Sequence, residues 1–262
     1  CLLLQNTPET LKLAGVAVPN SAATCAAAVA LPAGTALAKL ARDSATPAIA
    51  RATATAGLGP YLSPANIDVI TEGLADEDPL LRVAALDALG SVPLEIRTQL
   101  ALPALNDPVR SVRIEAARIL AAVPAGDLTA GQQSQLEQGI EEYLQAQQAM
   151  AERPEAQVNT GNLYAARDMS AKAVSAYQTA TELDPAYAPA YVNQADLYRN
   201  QGDEVRAEAV LRKAIAVIPD NGDVHHALGL SLVRQKRTAE AVAALAQAAR
   251  LSPDNARYVY VY

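Results

Sequence analysis

The sequence predicts an all-α solenoid, a chain of helix pairs stacked side by side, and three observations carry that prediction. Residues 154 to 255 write one 34-residue pattern three times without an insertion or a deletion. Residues 36 to 123 carry a looser spacing of 31 residues. The composition, 51% apolar with alanine supplying much of it and few β-branched runs, favours helix almost throughout. A helix pair of this size cannot bury its apolar face alone, so it must stack on its neighbours.

Taken in order, residues 1–35 form an irregular N-terminal segment. Pro8, Pro19 and Pro32 punctuate short apolar pieces, and only Thr24 to Ala30 sustains a 3.6-residue period. The segment is expected to pack as loop plus short helix against the first repeats. Cys1 and Cys25 allow one disulfide without fixing the redox compartment. A first residue of cysteine also occurs in mature bacterial lipoproteins, which leaves a lipid anchor at Cys1 as an alternative.

Residues 36–127 read as a first array. Arg51, Arg82 and Arg113 stand 31 residues apart, as do Ala54, Ala85 and Ala116, and Leu58, Leu89 and Leu120. Each Arg opens the second helix of a pair. Asp78-Pro79 and Asp107-Pro108 place an N-cap acceptor before a proline at the first helical position, and Ser63-Pro64 does the same for an intervening first helix. Asp-Pro followed by Arg and a small-residue helix resembles the HEAT family of repeats. In that resemblance the Arg column pairs with the Asp of a neighbouring turn rather than binding an anion.

Residues 124–131 are rich in turn formers and mark a hinge. Residues 132–153 follow as a connecting and capping helix, with Leu136, Ile140, Tyr143, Leu144 and Ala149 on one face. Tyr143 and Ala146 fall in register with the second helices further on, so this helix is expected to be a half-repeat joining the arrays into a continuous superhelix.

Residues 154–255 align as Pro154 to Tyr187, Ala188 to Asn221 and Gly222 to Asn255. Pro185, Pro219 and Pro253 share a column near the repeat end. Small residues recur at Gly161, Ala195 and Gly229, at Ala173, Ala207 and Ala241, and at Ala180, Ala214 and Ala248. Larger ones recur at Tyr164, Tyr198 and Leu232 and at Tyr177, Leu211 and Leu245. Small columns allow helices to cross closely, and large ones fill the gap. The pattern resembles the tetratricopeptide repeat (TPR), a helix-turn-helix unit that presents a concave binding face. Residues 256–262 read as the start of a truncated fourth repeat.

The chemistry-bearing motifs are absent: no GxxxxGK[ST], HExxH, GxSxG or CxxC occurs. Gly57-Leu-Gly59-Pro60 is too short for a phosphate cradle and reads as a turn. A formal charge of −7 without a Lys/Arg cluster argues against nucleic acid, and no apolar run approaches the length of about 18 to 20 residues that spans a bilayer. His225 and His226 occupy positions four and five of the third repeat. Adjacent helical residues point about 100 degrees apart, so the pair cannot jointly chelate one ion, and packing plus groove contact is the expected role, with a metal or haem ligand role as the alternative.

The register also names a candidate partner-binding groove on the first helices: Asn162, Asn193, Asp196, Arg199, Asn200, His226, Leu230 and Arg234, with Val158, Val192 and Val233 beside them. Asn162 and Asn193 fall where chaperone-tail-binding TPR domains hold a peptide carboxylate. The lysines of that clamp are replaced by Val158, Asp223 and Ala227, so the clamp is absent. With Arg199 and Arg234 the groove suits an extended or helical peptide of a protein partner, and solvated repeat surface is the alternative reading.

The stretches Pro60 to Pro64, Asp107 to Arg118, Arg153 to Ala156, Gly161 to Tyr164, Asn193 to Arg199 and Pro253 to Tyr258 together resemble the C-terminal half of bacterial TPR-containing multihaem c-type cytochromes. That resemblance implies a periplasmic or cell-surface location and electron transfer nearby. The decisive CxxCH is missing: Ala22-Ala-Thr-Cys25-Ala26 has alanine where the first Cys and the axial His would stand. No cofactor is therefore expected in this chain, and haem c would belong to an upstream part or to a partner. The reading is a non-enzymatic scaffold, with a solenoid tail of a haem protein and a cytoplasmic TPR adaptor as alternatives.

Overall fold

The computed structural model describes residues 33–64 and 66–261, with side chains through Tyr258. The expectations for residues 1–32, those for Cys1 and Cys25 included, lie outside the described residues. Every regular element described is helical. The α-helices are α1 (residues 33–42), α2 (Ala48–Gly57), α3 (Ile67–Leu74), α4 (Pro79–Leu89), α5 (Leu94–Ala101), α6 (Arg110–Leu120) and α7 (Ala130–Gln148). They continue as α8 (Pro154–Ala166), α9 (Ser170–Leu183), α10 (Ala188–Asn200), α11 (Glu204–Val217), α12 (Gly222–Arg234), α13 (Thr238–Leu251) and α14 (Ala256–Val261). The chain divides into two compact units, Cys1–Tyr143 and Leu144–Tyr262.

In the first unit α2 packs on α4 and α4 on α6, and the arginine column forms a ladder along them. Arg51 donates to Asp76 (2.9 Å), Arg82 holds Asp107 with two bonds (2.7 and 3.0 Å), and Arg113 holds Glu142 with two (3.1 and 2.7 Å). Each Arg also donates to carbonyls at a helix boundary: Arg51 to Ala41, Arg82 to Asp76 and Glu77, Arg113 to Asp107 and Pro108. Orphan carbonyls and a side-chain carboxylate are thus satisfied by one planar fork. Burial works against the charge of Asp107, but the hydrogen bonds from Arg82 and the Val109 amide prevail and hold its carboxyl below the usual range.

The helix starts correct the expected caps. Asp78 does cap α4, accepting from the Leu80 amide at 2.9 Å. Asp107 does not cap α6: it accepts from Val109, which is extended at φ −95° and ψ 122°, and the helix begins at Arg110. The residue equivalent to Asp107 in the 31-residue register is Asp76, whose carboxylate likewise accepts from the amide two residues on. The two Asp-Pro pairs are 29 residues apart and play different parts. Ser63-Pro64 also lies short of its helix, since α3 begins at Ile67, and the Asn66 carboxamide closes a local turn onto Ser63 instead.

Helix α7 begins at Ala130 through a reciprocal capping pair, Thr129 with Gln132. It ends at Gln148, so Ala149 lies beyond the helix and is exposed, whereas Leu136, Ile140 and Tyr143 are buried. Gly139 sits against Ala117, where an added Cβ would meet the Ala117 methyl at 2.7 Å.

In the second unit α8 pairs with α9, α10 with α11 and α12 with α13, and the first helices α8, α10 and α12 lie side by side. The columns read from the sequence become facing surfaces. Gly161 lies under the Tyr177 ring and Gly229 under Leu245, where a Cβ would approach to 2.5 and 2.6 Å. Ala195 and Leu211 share the core at the middle repeat. Position four is also periodic: Gln157, Tyr191 and His225 each hydrogen-bond the carbonyl six residues earlier, on Ala151, Pro185 and Pro219, at 2.8, 3.0 and 2.7 Å. His225 is thereby assigned to the frame.

A further column is invisible to side-chain pattern. Asp168, Gly202 and Lys236, again 34 apart, all adopt left-handed backbone (φ 57°, 77° and 61°). Each ends its helix with amides returning to carbonyls three and five residues back, as at Met169 to Tyr164, Asp203 to Tyr198 and Arg237 to Leu232.

Candidate functional site

The face made by α8, α10 and α12 holds two recesses, of about 510 and about 440 Å³. The larger lies among α10, α12 and α14 and gathers Asn193, Asp196, Arg199, His226, Leu230 and Arg234. The smaller gathers Asn162, Asn193, Asp196 and Asn200 with Tyr177. All eight groove residues named from the register therefore line one recess or the other. Val158 does not; it is buried in the core with Ala173 and Tyr177.

Their bonding narrows what they can do. Asn193 donates to the Asn162 carboxamide oxygen at 3.0 Å, and Tyr177 donates to the same oxygen at 2.8 Å. The two asparagines thus hold each other and the core tyrosine, whose hydroxyl pKa is pushed up to about 12 by burial. Arg199 pairs with Asp196 at 3.1 Å, and Arg234 pairs with Glu204, which also accepts from Ser231 at 2.7 Å. Burial opposes the charge of Glu204, yet Arg234 and Ser231 keep its carboxyl below the usual range. Both groove arginines are thereby held in place from within the chain. An incoming group meets paired guanidiniums rather than free ones, flanked by Val192, Ala227 and Leu230.

His226 is 6% exposed, and neither ring nitrogen has a hydrogen-bond partner. It stacks on Tyr258 of α14 with centroids 4.4 Å apart, and the Tyr258 hydroxyl donates to Asp223. Burial, with the charge of Arg257, moves the imidazole pKa below its ordinary value despite Asp223. Arg257 and Tyr258 line the larger recess although the sequence reading left them out. Running the 34-residue register past Asn255 would have found them at positions two and three of a further first helix. Among the described residues no three His, Cys, Asp or Glu side chains converge as metal ligands, and no helix is long and apolar enough to cross a membrane.

Tetratricopeptide repeat family models match residues 154–187, 176–209 and 222–255. These matches fall within the three 34-residue repeats and leave residues 210–221 between them. No curated protein matches the chain. Among solved structures, a crystal structure of MamA aligns at 19% identity over 67% of this chain and 97% of that one, TM-score 0.38. A thermophilic TPR protein of Thermus thermophilus, TTC0263, aligns at 21% identity over 76% and 97%, TM-score 0.41. The APC/C hetero-tetramer Cut9-Hcn1 aligns at 17% over 88% of this chain and 51% of that one, TM-score 0.39.

Proposed function

We propose that the chain is a non-enzymatic scaffold whose α8–α10–α12 face docks a peptide segment of a partner protein. The observation that carries this reading is the pair of adjoining recesses on one face of the repeats, mixed in polarity and sharing Asn193 and Asp196 of α10. Tetratricopeptide repeats support a protein-binding role, and the side chains along this face are held by structural bonds rather than arranged as nucleophile and base. Replacing Arg199 by Glu together with Leu230 by Glu tests it. Recovery of the partner in a pull-down from source extract should fall at least tenfold, and unchanged recovery would move the interface elsewhere.

The finer reading is that residues 36–127 form a HEAT-like array and that the scaffold works outside the cytoplasm beside a c-type cytochrome. The Arg51, Arg82 and Arg113 ladder supports the first part. The second part rests on the resemblance of the quoted stretches. Finding a signal peptide in the complete gene would favour it over a cytoplasmic adaptor, and finding none would favour the adaptor. Haem-sized mass additions on the native protein would overturn the haemless reading.

A further inference from the structure

In the second unit, consecutive repeats meet at one recurring joint, position five of one first helix against position three of the next. Val158 and Ala190 share a core at the first joint, and Val192 packs against the core that holds Val224 at the second. His226 and Tyr258 hold the same two places at the third, so a titratable ring stands where the earlier joints are aliphatic.

We propose that this third joint is operated by a proton: protonation of His226 releases Tyr258 and α14, and with them opens one end of the larger recess. The purpose of the opening rests on the docking-surface reading above, but its test does not. The ring lies 4.4 Å from Tyr258 at an interplanar angle of 27°, and both nitrogens are buried without partners. A neutral imidazole leaves one N–H and one lone pair unpaired there, a smaller cost than burying a charge. An imidazolium would carry two unpaired N–H donors out of reach of water.

The charged and titratable groups around it do not rescue the cation. On its own helix, Asp223 favours the proton but already accepts from Tyr258, and Arg234 is paired with Glu204. On α14, Arg257 opposes the proton. On α10, Arg199 and Asp196 pair with each other, α11 contributes Ala207 and Leu211, and no α13 residue lines the recess. Released from Tyr258, the ring enters water and takes a proton in the ordinary histidine range. The proton therefore binds the released form in preference, and each pH unit below that range favours release by up to about tenfold.

Hydrogen exchange of the peptide covering residues 256–261, measured on the full chain at about pH 7.5 and about pH 5.5, reads the joint. His226→Phe, which keeps an aromatic stack without a titrating group, is the reference, because dividing by its rate cancels the intrinsic pH dependence of exchange. His226→Val, which restores the residue of the second joint, is a second reference for the event that Phe itself disturbs the packing. The wild-type ratio to either reference should rise toward about tenfold at the lower pH. A ratio that stays flat, or that falls because His226 pairs with Asp223 and grips α14, overturns the joint and leaves the docking surface to its own pull-down test.

Discussion

Arg42 and Arg82 each reach carboxylates, but their surroundings set different energies. Arg42 bonds Asp68 and Glu72 with all three side chains at least 40% exposed, whereas Arg82 and Asp107 are 13% and 10% exposed and meet through two bonds. Arg82→Ala strands a buried carboxylate and two carbonyls, and should destabilise the protein by roughly 3 kcal/mol in urea unfolding. Arg42→Ala should change it by under about 1 kcal/mol. Glu208 supplies a pH test: burial opposes its charge, but Arg212, Gln235 and Arg237 outweigh it and bring its pKa to about 2. A depressed carboxylate stabilises fully above the unfolded value near 4.5 and loses that contribution as pH falls toward 2. The melting-temperature difference between wild type and Glu208→Gln should therefore be full above about pH 5 and shrink steadily below it. The arginine column was legible because its spacing holds to the residue. Its last acceptor was not: the 31-residue register points to Gln138, and the rung is closed by Glu142 one helical turn further on.

At the scale of the element, the small columns and the turns carry the energetics. Gly161→Ala gains about 1 kcal/mol of helix propensity but drives a methyl into the Tyr177 ring, where overpacking costs about 1–3 kcal/mol. Overpacking wins because the tyrosine is buried and tied to Asn162, so chemical denaturation should show a net loss. Lys236→Gly should do the reverse, stabilising by about 1 kcal/mol, because φ 61° strains a side chain that glycine lacks. A loss of stability there would mean that the lysine makes contacts outweighing its backbone. The helix pairs were legible from size alternation. The left-handed turns were not, since Asp168 and Lys236 hide a column that only Gly202 advertises. The cap at Asp78 was legible, but the one at Asp107 was misread because a dipeptide, Asp-Pro, was matched where a register position was needed.

Across the molecule, the 34-residue spacing of the helix pairs was legible, because its small and large columns are contact surfaces that tolerate no shift. The recesses were half read. Residues inside the three repeats followed from the register, while Arg257 and Tyr258 belong to a helix whose side-chain pattern stops after a few positions. The bonding of the groove was beyond the sequence, since Asn162 with Asn193 and Arg234 with Glu204 depend on which rotamers neighbouring helices permit. The central claim is that the first-helix face works by contact. A photo-crosslinking residue placed in turn at Leu230, Asn200, Val217 and Val242 of the full chain tests it most directly, the last two being exposed on second helices. Partner-sized crosslinks from Leu230 and Asn200 alone are the predicted result, and equal capture from Val217 or Val242 would contradict it.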